Sequence, residues 1–255
     1  MHAAAIQFSG VYKRYGTAEV LHNVNLHVNA GEFVGLAGVN GAGKTTLIKC
    51  LLDFCNIDSG SIQLFGQLHL RAASRSALAF LPERFLPPHY LSGADFLGHA
   101  AKLHQHSYDP SRINHILAVL NFDEGALKRS VRSYSKGMTQ KLGLTATFLA
   151  ERPLYILDEP MSGLDPQARA GVKRLLSDVR KAGKAVFLTS HALPEIEEIC
   201  DRVIVLHHGV PYFAGPPSRL CQDYSEVSIE QAFLRCIETA PHGRTEQQAL
   251  TSDRR

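Results

Sequence analysis

A glycine-rich segment between an apolar run and an amphipathic run limits the fold of this 255-residue chain more than any other feature. Residues 38–46 read Gly-Val-Asn-Gly-Ala-Gly-Lys-Thr-Thr and match the pattern G-x-x-x-x-G-K-S/T. The apolar residues 33–37 before the segment predict a buried strand, and the spacing of apolar residues from Leu47 to Leu52 predicts a helix after it. A strand, a glycine-rich turn and a helix in this order form a cradle for phosphate groups. We call residues 38–46 the phosphate loop.

The phosphate loop supplies several kinds of phosphate ligand. Its glycines let backbone amides approach phosphates closely, and the start of the following helix adds partial positive charge. The ammonium of Lys44 suits the terminal phosphates, and the hydroxyl of Thr45 suits Mg²⁺. We therefore expect loss of Lys44 to cripple nucleotide handling, and we expect the nucleotide to contact Gly38, Asn40, Gly41, Gly43, Lys44, Thr45 and Thr46.

The remaining apolar runs predict an α/β fold. Short continuous runs at 33–37, 78–81, 154–157, 185–189 and 203–206 are typical of central parallel strands covered on both faces. Helical patterns lie between them, for example the apolar positions 172, 175, 176 and 179 among charged residues. Before residue 33 the apolar residues alternate with polar ones, and glycines stand at the expected turns, which predicts an antiparallel sheet.

A helical segment interrupts the strand pattern. Strand signals stop at about Leu91 and helix signals continue to Leu149, so we expect a helical subdomain at about 84–149, inserted in one domain that spans 1–240. We expect helices to start at Asp109, which Pro110 follows, and at Ser135, because short acceptor side chains cap the free amides there. Residues 241–255 are polar and aperiodic, and we expect a mobile tail.

Two acids follow the apolar run 154–157. At the carboxyl edge of a parallel sheet, Asp158 and Glu159 emerge beside a phosphate site. We expect Asp158 to hold Mg²⁺ through its water shell and Glu159 to polarise a water for attack on the γ-phosphorus. The alternative is that these two acids, which we call the acid pair, cap a helix.

Charge, hydropathy and cysteine usage narrow the function classes. The 27 basic and 24 acidic residues give a net charge of +3 without a basic stripe, so nucleic acid is not an expected partner. No run of about eighteen apolar residues is present and the first ten residues lack the pattern of a secretory signal. Five cysteines without a CxxC pair favour reduced thiols that serve as packing rather than a metal or redox site. We expect a cytoplasmic protein.

Four further motifs, in the order of a known family, make the pattern specific. Residues 134–140 read Tyr-Ser-Lys-Gly-Met-Thr-Gln and look like the signature segment of the ABC transporter family, whose usual text is LSGGQ. Residues 162–165 look like its D-loop and His191 like its switch histidine, while Tyr15 occupies the place of the aromatic that stacks on adenine. From about residue 6 to residue 240 the chain resembles an ATP-binding subunit of this family.

The resemblance implies a fold, a reaction and partners. The fold is a P-loop NTPase core with an N-terminal antiparallel β subdomain and an inserted α-helical signature subdomain. Two copies would face head to tail around two ATP molecules, and Ser135 and Gly137 of each would close the phosphate site of the other. Asp165 and His191 would act as cross-protomer and γ-phosphate sensors, although alone they read as a helix cap and a strand-end histidine. A separate transmembrane permease subunit would hold this chain at the cytoplasmic face.

The sequence departs from the common family text at two motifs. The signature segment departs from the common text at Lys136 and Met138, and Glu83 replaces the usual Q-loop glutamine, where it would bind Mg²⁺ or be neutralised by Arg84. Both variants resemble the ABC-2-type exporter branch, as does the closing helix expected at 228–234. Residues 84–91 are either a buried connector or the lining of a groove for a cytoplasmic helix of the permease. Metal binding by the histidines at 99, 104 and 106, or at 207 and 208, is disfavoured.

Three functions fit these motifs. The leading hypothesis is an ATPase that powers an ABC exporter and carries out hydrolysis through Lys44, Glu159 and His191. The main alternative is a soluble ABC ATPase that acts as an ATP-gated scaffold or assembly factor. A nucleotide-binding module without hydrolysis is opposed by Glu159. The transported molecule lies beyond the sequence, because selectivity belongs to the membrane subunit.

Overall fold

Residues 4–104 and 109–240 are described by the computed structural model, and two sheets organise them. His106 and the expected tail at 241–255 lie outside the described residues. The first sheet is antiparallel and has the strand order β2-β1-β4-β5. Its strands are β1 (Ala4–Tyr15), β2 (Ala18–Asn29), β4 (Ser59–Leu64) and β5 (Gln67–Leu68).

The second sheet is the mixed, mainly parallel one that the apolar runs predict. Its order is β10-β9-β3-β8-β7-β6, and its pairs are parallel except for the antiparallel edge pair β9–β10. The strands are β3 (Phe33–Ala37), β6 (Leu78–Leu81), β7 (Leu154–Asp158), β8 (Ala185–Thr189), β9 (Arg202–His207) and β10 (Val210–Gly215). All five predicted runs are strands, so the α/β class is confirmed, whereas β4, β5 and β10 were not predicted.

Nine α-helices complete the described part of the chain. They are α1 (Lys44–Leu51), α2 (Ala72–Arg75), α3 (Gly93–Leu103), α4 (Pro110–Val119), α5 (Lys136–Leu149), α6 (Pro166–Lys181), α7 (Leu193–Ile199), α8 (Pro217–Asp223) and α9 (Ile229–Glu238). Two short 3₁₀ helices span Glu124–Lys128 and Val131–Ser133. The expected caps are present, since Asp109 accepts from the amides of Ser111 and Arg112, and Ser135 accepts from that of Met138.

Two apolar cores cover the two faces of the mixed sheet. Leu154 and Ile156 of β7 point into a core shared with the antiparallel sheet and α1, whereas Tyr155 and Leu157 point into a core shared with α5 and α6. Successive residues of a strand face opposite sides, so a strand covered on both faces reads as a continuous apolar run. A third core lies among α3, α4 and α5, between β6 and β7 in the chain. Within the described ranges, every helix is too short or too polar to cross a membrane.

Gly171 is required where α6 crosses α4. A methyl group at Gly171 would lie 2.1 Å from the carbonyl oxygen of Val119. We expect Gly171→Ala to lower the free energy of unfolding by about 1–3 kcal/mol, as overpacking does, although helix propensity alone would raise it by roughly 1 kcal/mol. Chemical denaturation measures the change, and Ser177→Ala on the exposed face of α6 is the matched control. A Gly171→Ala protein as stable as the control would show that the two helices separate at no cost.

Candidate functional site

Backbone conformation explains the glycines of the phosphate loop. Gly41 and Gly43 have φ angles of +82° and +107°, in the left-handed region that other residues rarely adopt. A methyl group at Gly38 would lie 2.4 Å from the carbonyl oxygen of Leu206, so the loop is pressed against the end of β9. These constraints hold the loop in one shape at the start of α1, where free helical amides favour an anion.

Lys44 lies across the phosphate loop and faces the acids. Its ammonium donates hydrogen bonds to the carbonyl oxygens of Gly38 at 2.5 Å and Val39 at 3.2 Å. Burial lowers the pKa of Lys44, while the nearby carboxyl groups of Glu159, Asp158 and Glu83 oppose this shift. The charge of Lys44 is therefore positioned by the loop and balanced by the acids.

One cavity gathers most of the predicted site residues. Its volume is about 380 Å³, and residues 39–46 of the phosphate loop line one part of it. The other predicted residues in its wall are Glu83, Asp158, Glu159 and His191. They lie at or directly after the ends of β6, β7 and β8, whose carboxyl ends meet at the same edge of the sheet as that of β3. Chain segments more than a hundred residues apart thus converge on the phosphate loop.

Thr189 holds the acid pair in place. Its hydroxyl donates to Asp158 Oδ1 at 2.6 Å and accepts from the backbone amide of Glu159 at 3.0 Å. Asp158 and Thr189 are partners in the β7–β8 register, and the Thr189 side chain is fully buried. Sequence analysis did not assign Thr189 a role. The available signal was a polar residue at the end of an apolar strand, directly before Ser190 and His191.

The acid pair is buried, and burial disfavours the charged form of both carboxyl groups. Asp158 is 7% and Glu159 is 9% exposed, and burial raises the pKa of both carboxyl groups. Glu159 has a φ angle of +52°, and within the described chain its Oε1 has no hydrogen-bond partner. The backbone amide of His191 donates to Glu159 Oε2 at 3.3 Å, and His191 Nε2 lies 3.6 Å from Oε1. Glu159 thus has an acceptor oxygen free for a further donor.

The oxygen donors of the cavity fit Mg²⁺. The hydroxyl of Thr45 and the carboxyl groups of Glu83 and Asp158 all line it, and Mg²⁺ takes such hard oxygen ligands. A cation among them would offset the burial of negative charge that raises the pKa of Asp158. The described residues contain no ion pair between Glu83 and Arg84, and no cluster of three or more His, Cys, Asp or Glu side chains suited to a metal.

Tyr15 lies at the end of β1, outside the lining of the cavity. Its ring is 47% exposed, and its hydroxyl lies beside the side chains of Cys55 and Thr46. The ammonium of Lys13 stands 4.9 Å from the ring centre. The ring is therefore exposed next to the helix that follows the phosphate loop, and its stacking on adenine stays a prediction.

The signature residues lie away from the cavity of their own chain. Ser135 caps α5 by accepting from the amide of Met138 at 3.2 Å, and its side chain is exposed. A methyl group at Gly137 would lie 3.1 Å from the carbonyl oxygen of Gly163, so this helix start packs closely on the segment after the acid pair. Gln140 donates to the carbonyl oxygen of Pro160 at 3.1 Å.

Asp165 also lies outside the cavity, and its visible role is structural. Its Oδ1 accepts from the amide of Ala168 at 2.8 Å and caps α6. Its Oδ2 forms an ion pair at 2.8 Å with Lys141, whose ammonium also donates to the carbonyl oxygen of Asn121 at 3.0 Å. The capping alternative is therefore present within one chain. Sequence analysis named Gln140 only as part of the signature segment, without a role, and it missed Lys141, which no local pattern distinguishes from other polar residues of a helix.

Comparison with known proteins agrees with the motifs. Residues 21–162 match the family described as ABC transporter. An uncharacterized ABC transporter ATP-binding protein of Nostoc is 38% identical over 82% of this chain and 64% of its own length. The bacitracin transport ATP-binding protein of Enterococcus faecalis is 36% identical over 80% of this chain and 67% of its own. The chain spans less than two thirds of the length of the first of these curated relatives.

Solved structures match the whole architecture. One described as the ATP-binding subunit of an ABC transporter has a TM-score of 0.83 and 27% identity, and the match covers 91% of this chain and 99% of that one. A dimeric ATP-binding cassette bound to ADP and Pi has a TM-score of 0.74 and 19% identity, over 83% of this chain and 98% of that one. The second likeness shows the fold alone.

The buried acid pair predicts a pH-dependent stability. Folding raises the pKa of both carboxyl groups, so each binds its proton more tightly in the folded than in the unfolded chain. The free energy of unfolding therefore falls as the pH rises from about 4 through the raised pKa. Glu159→Gln removes one such group. Without nucleotide, we expect this variant to melt above the wild type at about pH 7, by about 2–4 °C for each kcal/mol recovered, and the difference to shrink towards about pH 4.

Thermal melts over this pH range make the measurement. Glu197→Gln, at an exposed position of α7, is the matched control and should show no such trend. If Glu159→Gln melts at or below the wild-type temperature at neutral pH, burial of the Glu159 carboxyl group does not lower the stability of the folded chain.

Proposed function

Because the chain belongs to the ABC transporter family of ATP-binding proteins, we propose that it binds and hydrolyses ATP and thereby powers a membrane transporter whose pore is a separate polypeptide. The observation that carries this proposal is the single cavity formed by the phosphate loop, Glu83, the acid pair and His191. Cationic, anionic and hydroxyl groups meet there in the combination that phosphoryl transfer to water requires.

The residues of the cavity have separate tasks in the proposed reaction. The loop amides and Lys44 bind the triphosphate, and Thr45 and Asp158, with Glu83, would hold Mg²⁺, which supplies charge neutralisation at the phosphate oxygens. Glu159 orients and deprotonates the attacking water through Oε1, the oxygen without a partner within the described chain. His191 stands beside Glu159 and responds to the presence of the γ-phosphate.

A second copy of the chain completes the proposed site. Ser135 and Gly137 lie at the start of α5, and among the described residues of their own chain they do not line the nucleotide cavity. In a head-to-tail dimer, this helix start meets the phosphates bound by the partner. A structural neighbour of this chain is a dimeric ATP-binding cassette bound to ADP and Pi. In this arrangement, the ATP holds the two copies together and its cleavage releases them.

An apolar groove supports the proposed membrane partner. It has a volume of about 850 Å³ and lies between β6, the segment 85–91, α3 and the middle of α5. Tyr90 and Leu103 line the groove and are 84% and 82% exposed. Exposed apolar side chains around a groove are typical of helix docking. We assign the groove to a short cytoplasmic helix of the permease, which would hold the chain at the cytoplasmic face of the membrane.

The direction of transport is proposed from the relatives. Among them are a bacitracin transport protein and two Nod factor export proteins, one of which is 34% identical over 91% of this chain. The variant signature segment and Glu83 also resemble those of the ABC-2-type exporter branch. We therefore propose that it energises export. The exported molecule is selected by the permease.

Loss of Glu159 should trap the dimer. In Glu159→Gln, ATP still binds but the attacking water is not activated, so we expect an ATP-dependent dimer on gel filtration and a turnover rate lowered by at least about 100-fold. Lys44→Ala should remain monomeric with ATP, because the phosphates lose their cation, and Glu197→Gln should behave as the wild type. An unchanged turnover rate in Glu159→Gln would refute the role assigned to Glu159.

Changes in the groove should detach the chain from its permease without loss of ATP binding. We expect wild-type chain purified from native membranes in mild detergent to carry a multi-span protein, and Tyr90→Asp with Leu103→Asp to lose it, because two charges would be buried in an apolar contact. Val227→Asp, at an apolar position 98% exposed and outside the groove, is the control. Recovery of the wild type only from the soluble fraction, with assembly factors, would favour the scaffold alternative.

A further inference from the structure

The thiols of Cys50 and Cys55 lie close to each other, near the side chain of Tyr15. The Sγ atoms of Cys50 and Cys55 are 3.6 Å apart. Cys50 lies in the last turn of α1 and is fully buried, whereas Cys55 is partly exposed. Within the described ranges, no other pair of cysteine side chains is in hydrogen-bond contact. The sequence predicted scattered packing cysteines, and this contact departs from that expectation.

The turn that ends α1 creates the contact. The amide of Phe54 donates to the carbonyl oxygen of Lys49 at 2.8 Å, and that of Asp53 donates to the carbonyl oxygen of Cys50 at 3.2 Å. Asp53 takes a φ angle of +61°. Such a paired closure reverses the chain within three residues of the helix end. Cys55 is thereby returned to the side of α1 that carries Cys50.

We propose that Cys50 and Cys55 form an oxidative modification site, which a hydroperoxide converts into an intrachain disulfide that weakens nucleotide binding. A disulfide joins sulfurs at about 2.05 Å, so the two sulfurs must approach by about 1.5 Å. Cys50 is held by its helix and by the core around it. The flanking segment that carries Cys55 therefore makes the movement.

The two steps balance. The thiolate of Cys55, the thiol that solvent reaches, attacks one oxygen of hydrogen peroxide, the O–O bond breaks, and Cys55 becomes a sulfenic acid while water leaves after proton transfer. The sulfur of Cys50 then attacks Cys55 Sγ, the S–OH bond breaks, and the proton of Cys50 leaves with the hydroxide as a second water. Two thiols are oxidised and one peroxide is reduced. Burial raises the pKa of Cys50 to about 12, which makes it the second thiol to react.

The disulfide acts on nucleotide binding through Tyr15, a step that rests on the proposed function. The Tyr15 hydroxyl lies beside the side chains of Cys55 and Thr46, and the contact with Cys55 together with burial raises the pKa of Tyr15 to about 12. When Cys55 moves towards Cys50, Tyr15 loses this neighbour. The ring then has less support beside the phosphate loop, and base stacking weakens.

Thiol counting and peptide mapping test the modification without any assay of activity. Hydrogen peroxide should lower the number of free thiols in the denatured protein from five to three, and proteolysis should give one linked species containing Cys50 and Cys55, lighter by two hydrogen atoms. Cys50→Ala and Cys55→Ser should abolish the linked species. Cys221→Ser, which removes another partly exposed thiol, should leave it intact. Five remaining thiols, or a linked species with any other cysteine, would overturn the site.

Calorimetric titration with ATP tests the consequence. We expect the oxidised wild type to bind ATP at least about fivefold more weakly than the reduced protein, the low end of the effect of a lost aromatic stacking contact. A reducing dithiol should restore the affinity, and Cys55→Ser should keep its affinity under peroxide. A complete disulfide with unchanged ATP affinity would overturn the link to Tyr15. If the reduced protein fails to bind ATP, the proposed function fails, and peptide mapping still decides the disulfide.

Discussion

The burial of two adjacent carboxyl groups at the end of β7 is the constraint on which the rest of the site depends. Parallel strands deliver Asp158 and Glu159 to the sheet edge where the phosphate loop begins, and Thr189 fixes both through one hydroxyl. The cost of burying them is visible in their raised pKa values. Lys44 balances only part of this charge. A triphosphate alone would add negative charge, whereas a triphosphate with Mg²⁺ brings the cation that the acids lack.

The same segment connects the cavity with the proposed dimer surface. Gln140 donates to the carbonyl oxygen of Pro160, directly after the acid pair, and Lys141 pairs with Asp165 at the start of α6. The signature helix and the chain after Glu159 are therefore bonded to each other at two successive residues of α5. Through these two bonds, a displacement of the exposed helix start at Ser135 would be passed to the chain that follows Glu159. The two proposed roles of the chain, cleavage of its own ATP and closure of the partner's site, would therefore depend on the same bonded segments.

Sequence patterns predicted the strands and helix caps, which depend on short runs of neighbouring residues. Continuous apolar runs gave all five predicted strands, and the caps at Asp109 and Ser135 are present as expected. Strand β10 was missed because Pro211 interrupts its pattern, although an edge strand tolerates proline. Thr189, Gln140 and the Cys50–Cys55 contact were missed for a different reason. Their roles arise from strand register, helix packing and a left-handed residue at Asp53, none of which a linear pattern specifies.

Helix α5 joins the cavity to the apolar groove. Its start carries the signature residues, while Gly143 in its middle faces the groove. A methyl group at Gly143 would lie 2.8 Å from the ring of Phe85 and 3.0 Å from Leu81, so α5 touches the segment on both sides of Glu83. Glu83 itself lines the cavity. A helix seated in the groove would press on Phe85 and α5 together, and contacts this close leave little room for independent motion. Glu83 therefore lies in the wall of the cavity and, in the chain, between two residues that pack against α5 beside the groove.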